Sequence, residues 1–139
     1  MSGVPYQASG VSLGGRGLLI EGPPGSGKSS LALALIDRGA VLIGDDGVLL
    51  EMREGRLWAL PAPNIAGLIE IRGVGLVELP SEAAPVALVV RLDPDAPRHI
   101  DAPEHIALGA ARVPLVRLFP DSPVLAVRAE WALAVHGTA

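Results

Sequence analysis

Residues able to do chemistry are concentrated in the segment 18–29, Leu-Leu-Ile-Glu-Gly-Pro-Pro-Gly-Ser-Gly-Lys-Ser. Gly22, Gly27, Lys28 and Ser29 fit the phosphate-loop pattern G-x-x-x-x-G-K-[ST]. Glycines let successive backbone N–H groups turn inward around an anion, with no side chain in the way. A helix that starts at such a loop adds its own unpaired N–H groups and the positive end of its dipole. Gly22, Pro23, Pro24, Gly25, Ser26, Gly27, Lys28, Ser29 and Ser30 are therefore expected to cradle the phosphates of ATP. Lys28, the only lysine of the chain, would reach the β- and γ-phosphates. The Ser29 hydroxyl would ligate Mg²⁺.

A bound nucleotide also needs metal-supporting carboxylates and, for transfer, a group that handles the acceptor's proton. Asp45-Asp46 follows the apolar run Val41-Leu42-Ile43. In a parallel α/β sheet, ligand sites lie at the C-terminal ends of the strands, which would bring this pair near the γ-phosphate. Asp-Gly is also a turn signal, so a simple turn is the alternative. A third group, Glu70 and Arg72, lies in the apolar, glycine-interrupted stretch 65–79. On their own these two would read equally as the exposed side of a strand or a surface ion pair.

Several elements must position these groups. Residues 6–13 read as a strand, followed by the turn Gly14-Gly15-Arg16-Gly17 and a second strand that enters the phosphate loop. A helix is expected from Ser29 to Arg38, with Gly39 as its stop. Val41–Ile43 reads as a buried strand. Residues 48–51 and 56–60 read as a hairpin around Gly55. The stretch 65–79 is ambiguous between helix and strand. Ala87–Leu92, apolar except for Arg91, reads as a central strand. Residues 93–103 read as a surface loop, 113–119 as a strand and 123–136 as a closing helix.

The chain of 139 residues is half apolar and carries a net charge of −4, so residues 1–139 read as one domain with an aliphatic core. No basic block argues for nucleic acid. The absence of cysteine excludes disulfides and thiolate chemistry. No apolar run is long enough to span a membrane, and the first residues do not read as a signal peptide. A cytoplasmic protein is the expectation. His99, His105 and His136 read as surface residues.

The phosphate loop, the segment Val41-Leu42-Ile43-Gly44-Asp45-Asp46 and the segment Ile69-Glu70-Ile71-Arg72-Gly73-Val74-Gly75-Leu76-Val77 together resemble HPr kinase/phosphorylase. The resemblance covers about residues 6–79 and is similar to the short form of the family, which has the catalytic domain alone. It implies a P-loop α/β fold like that of phosphoenolpyruvate carboxykinase, a mixed sheet with flanking helices. The implied activity is ATP-dependent phosphorylation of a serine on the phosphocarrier HPr or a related carrier of the phosphotransferase system. Removal of that phosphoryl group by inorganic phosphate, with pyrophosphate as product, is implied as well. By motif position, Asp45 matches the catalytic acid/base, Asp46 a metal-supporting carboxylate, Glu70 a metal ligand and Arg72 a group that steadies transferring oxygens. Arg117 is the nearest match to a basic residue of a later Pro-rich loop. Longer members form hexamers, so a homo-oligomer is compatible with the resemblance. Gln7 stands where the family often has histidine, and glutamine carries no proton at neutral pH. The loop alone would serve two other classes equally, a small-molecule kinase or NTPase and a nucleotide-sensing module without turnover.

Overall fold

A computed structural model describes residues 3–139. Strand β2 (Ser9–Leu13) turns back through Gly14-Gly15 into β3 (Arg16–Glu21), which runs into the phosphate loop. The loop delivers the chain to α1 (Lys28–Asp37). This helix ends where the chain turns at Gly39, whose φ of 110° suits glycine. β4 (Val41–Gly44) then pairs antiparallel with β2. Since β3 is also antiparallel to β2, β3 and β4 point the same way.

The remaining elements widen this unit. β1 (Val4–Tyr6) pairs with β5 (Val48–Arg53), and β5 forms a hairpin with β6 (Arg56–Pro61). β7 (Leu68–Ile71) and β8 (Gly75–Glu78) make a separate two-stranded sheet. β9 (Ala84–Leu92) lies parallel to β3. On its other side β9 pairs with β6 through Ala84 and Pro85, and farther along with β11 (Ala111–Leu118) from Val89 to Leu92. β10 (Glu104–Leu108) is antiparallel to β11, and α2 (Leu125–His136) closes the chain. The main path runs β1-β5-β6-β9-β3-β2-β4, with β11 and β10 branching from β9. This is the expected mixed α/β sheet with flanking helices.

Alternation along the strands divides the core between the two faces. Leu18, Ile20, Leu88 and Val90 pack with Leu31 and Leu35 of α1 and with Ala129 and Leu133 of α2. Leu19, Val89, Leu115 and Ile43 pack on the opposite face with Val48 and Leu57. β9 is buried on both faces along Val86–Val90, as that apolar run requires.

Three sequence expectations change. The strand read over 6–13 is two strands, broken at Gln7-Ala8, and its halves pair with different neighbours. The ambiguous stretch 65–79 is a hairpin, with Gly73 at φ 82° in its turn. β10 was not expected; only Leu108 of its side chains is buried, so its apolar signal is weak. The helix at 28–37, the buried strand at 41–44 and the β5–β6 hairpin fall as expected. Among the described residues, no helix is long and apolar enough to cross a membrane.

Leu88 is fully buried at the centre of β9. Leu88→Ala should lower unfolding stability by about 2–5 kcal/mol, the cost of a large-to-small change in a packed core. Urea unfolding measures it, and a loss below about 1 kcal/mol would show that the site collapses around the deletion.

Candidate functional site

Shared strand direction places the chemistry. β3, β4, β9 and β11 all point one way, so Glu21, Gly44, Leu92 and Leu118 end along one edge of the sheet. The phosphate loop leaves β3 at this edge and Asp45 leaves β4 there. Such strand ends are where open α/β sheets bind ligands.

The loop is shaped by its glycines. Gly25 and Gly27 have φ values of 79° and 101°, a region that side chains disfavour. Gly27 is the N-cap of α1, and its carbonyl accepts the Leu31 N–H at 2.9 Å. The Ser26 N–H donates to the Pro23 carbonyl at 3.1 Å and tightens the turn. Gly22 serves close approach: a Cβ there would meet Ser26 Oγ at 2.7 Å and Leu92 Cβ at 3.3 Å. Lys28 Nζ donates to the carbonyls of Gly22 and Pro23, at 2.8 and 3.1 Å, and so lies along the loop. Ser26 Oγ is buried without a hydrogen-bond partner. A buried hydroxyl without a partner is costly, and this one sits inside a glycine loop at a helix N-terminus. The group therefore fits an anionic ligand such as nucleotide phosphate.

Asp45 is the organising carboxylate. Its Oδ1 accepts from the Ser29 hydroxyl at 2.5 Å and from the Ser9 hydroxyl at 3.2 Å. Its Oδ2 accepts from the Glu70 backbone N–H at 3.2 Å. The side chain is 9% exposed. One buried acid thus ties together the loop serine, strand β2 and hairpin β7–β8. Ser29 and Asp45 present oxygen donors of the kind that Mg²⁺ prefers. Asp46, its neighbour, is exposed and adopts φ 60°. It lines an open cavity of about 590 Å³ together with Tyr6, Gln7, Val48, Asn64 and Ile65.

The signature hairpin contributes less directly. Ile69 is fully buried and anchors β7, while the side chains of Glu70 and Arg72 are exposed. The structure thus brings the backbone of Glu70 to Asp45 but leaves both charged side chains in solvent.

Arg117 is committed to carboxylates. It donates to Glu104 through Nε at 2.7 Å and Nη2 at 3.3 Å, and to Asp93 through Nη1 at 3.1 Å. The guanidinium hydrogen bond holds Glu104 below its ordinary pKa, and Arg117 itself is raised by both carboxylates. Asp93 is lowered first by the Asp95 N–H and then by Arg117.

Arg91 is half-buried and paired with Glu21, the residue before the loop. Glu21 also accepts from the Tyr6 hydroxyl. No motif carries this group: Glu21 and Arg91 are register partners on β3 and β9, and Tyr6 reaches Glu21 from just before the β2–β3 hairpin.

A phosphate loop opening a helix, with a carboxylate from the end of the next strand but one, parallel to the loop's strand, on the loop's serine, defines a P-loop α/β domain. Comparison with known proteins sharpens that class. The family model described as HPr serine kinase C-terminal domain matches residues 5–82, and the chain belongs to this family. An HPr kinase/phosphorylase of Streptococcus thermophilus is 46% identical over 72 residues, covering 51% of this chain and 23% of the relative. One from Streptococcus gordonii is 34% identical over 118 residues, covering 75% of this chain and 38% of the relative. The chain thus spans well under half the length of these curated relatives. Among solved structures, the Hpr(Ser) kinase/phosphatase of Coxiella burnetii matches with a TM-score of 0.77 and 27% identity, covering 94% of this chain and 92% of the other.

Two predictions follow from this geometry. Gly22→Ala should weaken binding of Mg²⁺-ATP about tenfold or more, because the new methyl group displaces Ser26 or the loop. Isothermal titration measures it, and unchanged affinity would show that the loop does not need this close approach. The second concerns acid. Glu104 and Asp93 are depressed on folding, so their stabilising effect is complete above the ordinary carboxylate pKa and is lost as pH falls through the lower folded values. Arg117→Gln should therefore make stability fall less steeply between about pH 5 and pH 2. Both carboxylates are solvent-screened, so the change should be small. Identical acid limbs in urea titrations of the two proteins would remove this ion group from the account.

Proposed function

We propose that this domain is an ATP-dependent serine kinase acting on HPr or a related phosphocarrier of the phosphotransferase system, with phosphorolysis as the reverse reaction. The observation that carries it is the Ser29–Asp45–Glu70 connection, which joins the phosphate loop to the family's signature hairpin. A small-molecule kinase, an NTPase or a nucleotide-sensing module would need the loop, but that connection to the HPr-kinase signature favours a protein kinase.

Mg²⁺-ATP would supply the phosphoryl group and much of the charge neutralisation. The chain's own residues divide the remaining work. The N–H groups of the loop and the N-terminus of α1 bind phosphate oxygens. Lys28, lying along the loop, places its ammonium charge on the β- and γ-phosphates. Ser29 presents its hydroxyl to the metal, while Asp45 holds that hydroxyl in position. Asp46 and Glu70 add carboxylate charge for the metal and its waters. Arg72 and Arg117 stabilise charge on the transferring oxygens, and Arg117 does so by exchanging a carboxylate partner for phosphate. Asp45 takes the proton of the acceptor hydroxyl. Carrier protein, ATP, inorganic phosphate and pyrophosphate are then the reactants, and the cytoplasm, where these reactants would meet, is the compartment this reading implies.

One observation favours a second assignment of the base. Both Asp45 oxygens already accept hydrogen bonds, whereas Asp46 opens onto the cavity shared with Gln7. In that reading Asp45 serves the metal side and Asp46 receives the acceptor's proton. Gln7 can hydrogen-bond the acceptor in either case but cannot carry its proton.

Incubation with Mg²⁺-ATP and the organism's own HPr should yield phosphoserine on HPr, and none from an active preparation would remove the kinase reading. Lys28→Ala should reduce transfer by about a hundredfold or more, the scale of a lost charge-stabilising contact. Comparing Asp45→Asn with Asp46→Asn separates the two assignments. The base variant should lose kcat while keeping nucleotide affinity, and the metal-side variant should lose both.

A further inference from the structure

Glu21 is the last residue of β3 and immediately precedes Gly22. Its carboxylate receives the Tyr6 hydroxyl on one oxygen and the Arg91 guanidinium on the other. The side chains of Glu21 and Arg91 are 14% and 33% exposed, so the pair is shielded from much of the solvent that would weaken it. Strand alternation fixes the face they share. Leu19 and Val89, two residues before them, belong to the core on the side away from α1, whereas Ile20 and Val90 face α1. The ion pair therefore lies on the sheet face opposite the loop's helix, at the functional edge.

Tyr6 belongs to β1, an edge strand whose sheet partner is β5. β1 and β3 are not paired, but Ser9 lies opposite Ile20 in the β2–β3 hairpin, so Tyr6, just before Ser9, reaches Glu21, and their bond fixes the chain as it enters β2. Ser9 in turn donates to Asp45. The segment 6–9 is thus pinned at both ends, to the phosphate-loop strand through Tyr6 and to the organising acid through Ser9. Gln7 lies exposed between these anchors and lines the open cavity with Asp46 and Tyr6 itself. Burial, and then the bond to Glu21, raises the Tyr6 pKa well above the ordinary tyrosine value. The phenol therefore stays a donor well into the alkaline range.

We propose that Tyr6, Glu21 and Arg91 form a positioning unit that sets the acceptor-side wall of the site, residues 6–9, against the phosphate loop. The unit rests on the reading of the cavity beside Asp46 as the acceptor side. Its parts have separate duties. Tyr6 fixes the wall, so its loss is felt by the acceptor. Arg91 neutralises a carboxylate one residue from the phosphate loop, so its loss is felt by the nucleotide. A pair that served folding alone would show neither division.

The test uses the full chain, Mg²⁺ with a non-hydrolysable ATP analogue, and the native HPr. Tyr6→Phe should raise the KM for HPr about tenfold, the scale of one lost hydrogen bond to a charged group, and leave analogue Kd within about twofold. Arg91→Gln should raise analogue Kd about tenfold, and adding Glu21→Gln in the same chain should restore it to within about twofold. Arg91→Lys, which keeps the charge, should retain most of the affinity. If Arg91→Gln does not fold, Glu21→Gln alone decides: it leaves Arg91 unopposed and should tighten analogue binding. An unchanged KM in Tyr6→Phe, parallel loss of both affinities, or a double variant as weak as Arg91→Gln would overturn the inference. The analogue measurements need no acceptor, so a wild type that never phosphorylates HPr would sink the kinase reading while leaving the nucleotide arm to be judged by itself.

Discussion

The site depends on one buried carboxylate. Asp45 is almost removed from water, and a charge in that position is tolerable only when donors surround it. Three are supplied, by residues 36, 16 and 25 positions away in sequence. Each donor belongs to a different structural unit, so solvating this acid within the protein also assembles the site. The phosphate loop, strand β2 and the signature hairpin are brought to one place by the same electrostatic requirement.

The sheet makes this arrangement available. β2 runs between β3 and β4 and antiparallel to both, which turns their C-terminal ends to the same edge. Without that reversal, the phosphate loop and Asp45 would lie at opposite ends of the strands. The aliphatic core on each face then fixes register, because a slip of one residue would exchange Leu19 and Ile20 between the two cores. Packing with no obvious chemical role thereby holds the geometry on which the chemistry rests.

Much of this was legible in the sequence because it is local. The phosphate loop announces itself through glycines, one lysine and a following helix, all within a few residues. Asp45-Asp46 follows an apolar strand, and its place could be argued from the general habit of α/β sheets. Glu70 and Arg72 were legible only through resemblance to a family motif. What the sequence concealed is register. Glu21 meets Arg91 because β3 pairs with β9, two strands far apart in sequence, and no spacing along the chain encodes that pairing. β10 was missed because an edge strand needs few buried side chains. The stretch 65–79 stayed ambiguous because its glycines interrupt both periodicities.

The β7–β8 hairpin stands apart from the main sheet, and Val74 and Leu76 near its turn are largely exposed. Two-stranded hairpins have little stability of their own, and this one is fastened at its base by Ile69 and by the Glu70–Asp45 bond. Local opening of such a unit costs less than global unfolding. The signature residues are therefore carried by one of the least cooperative parts of the fold. Loss of the site's geometry and denaturation become separate events: warming can release the hairpin from Asp45 while both cores remain intact.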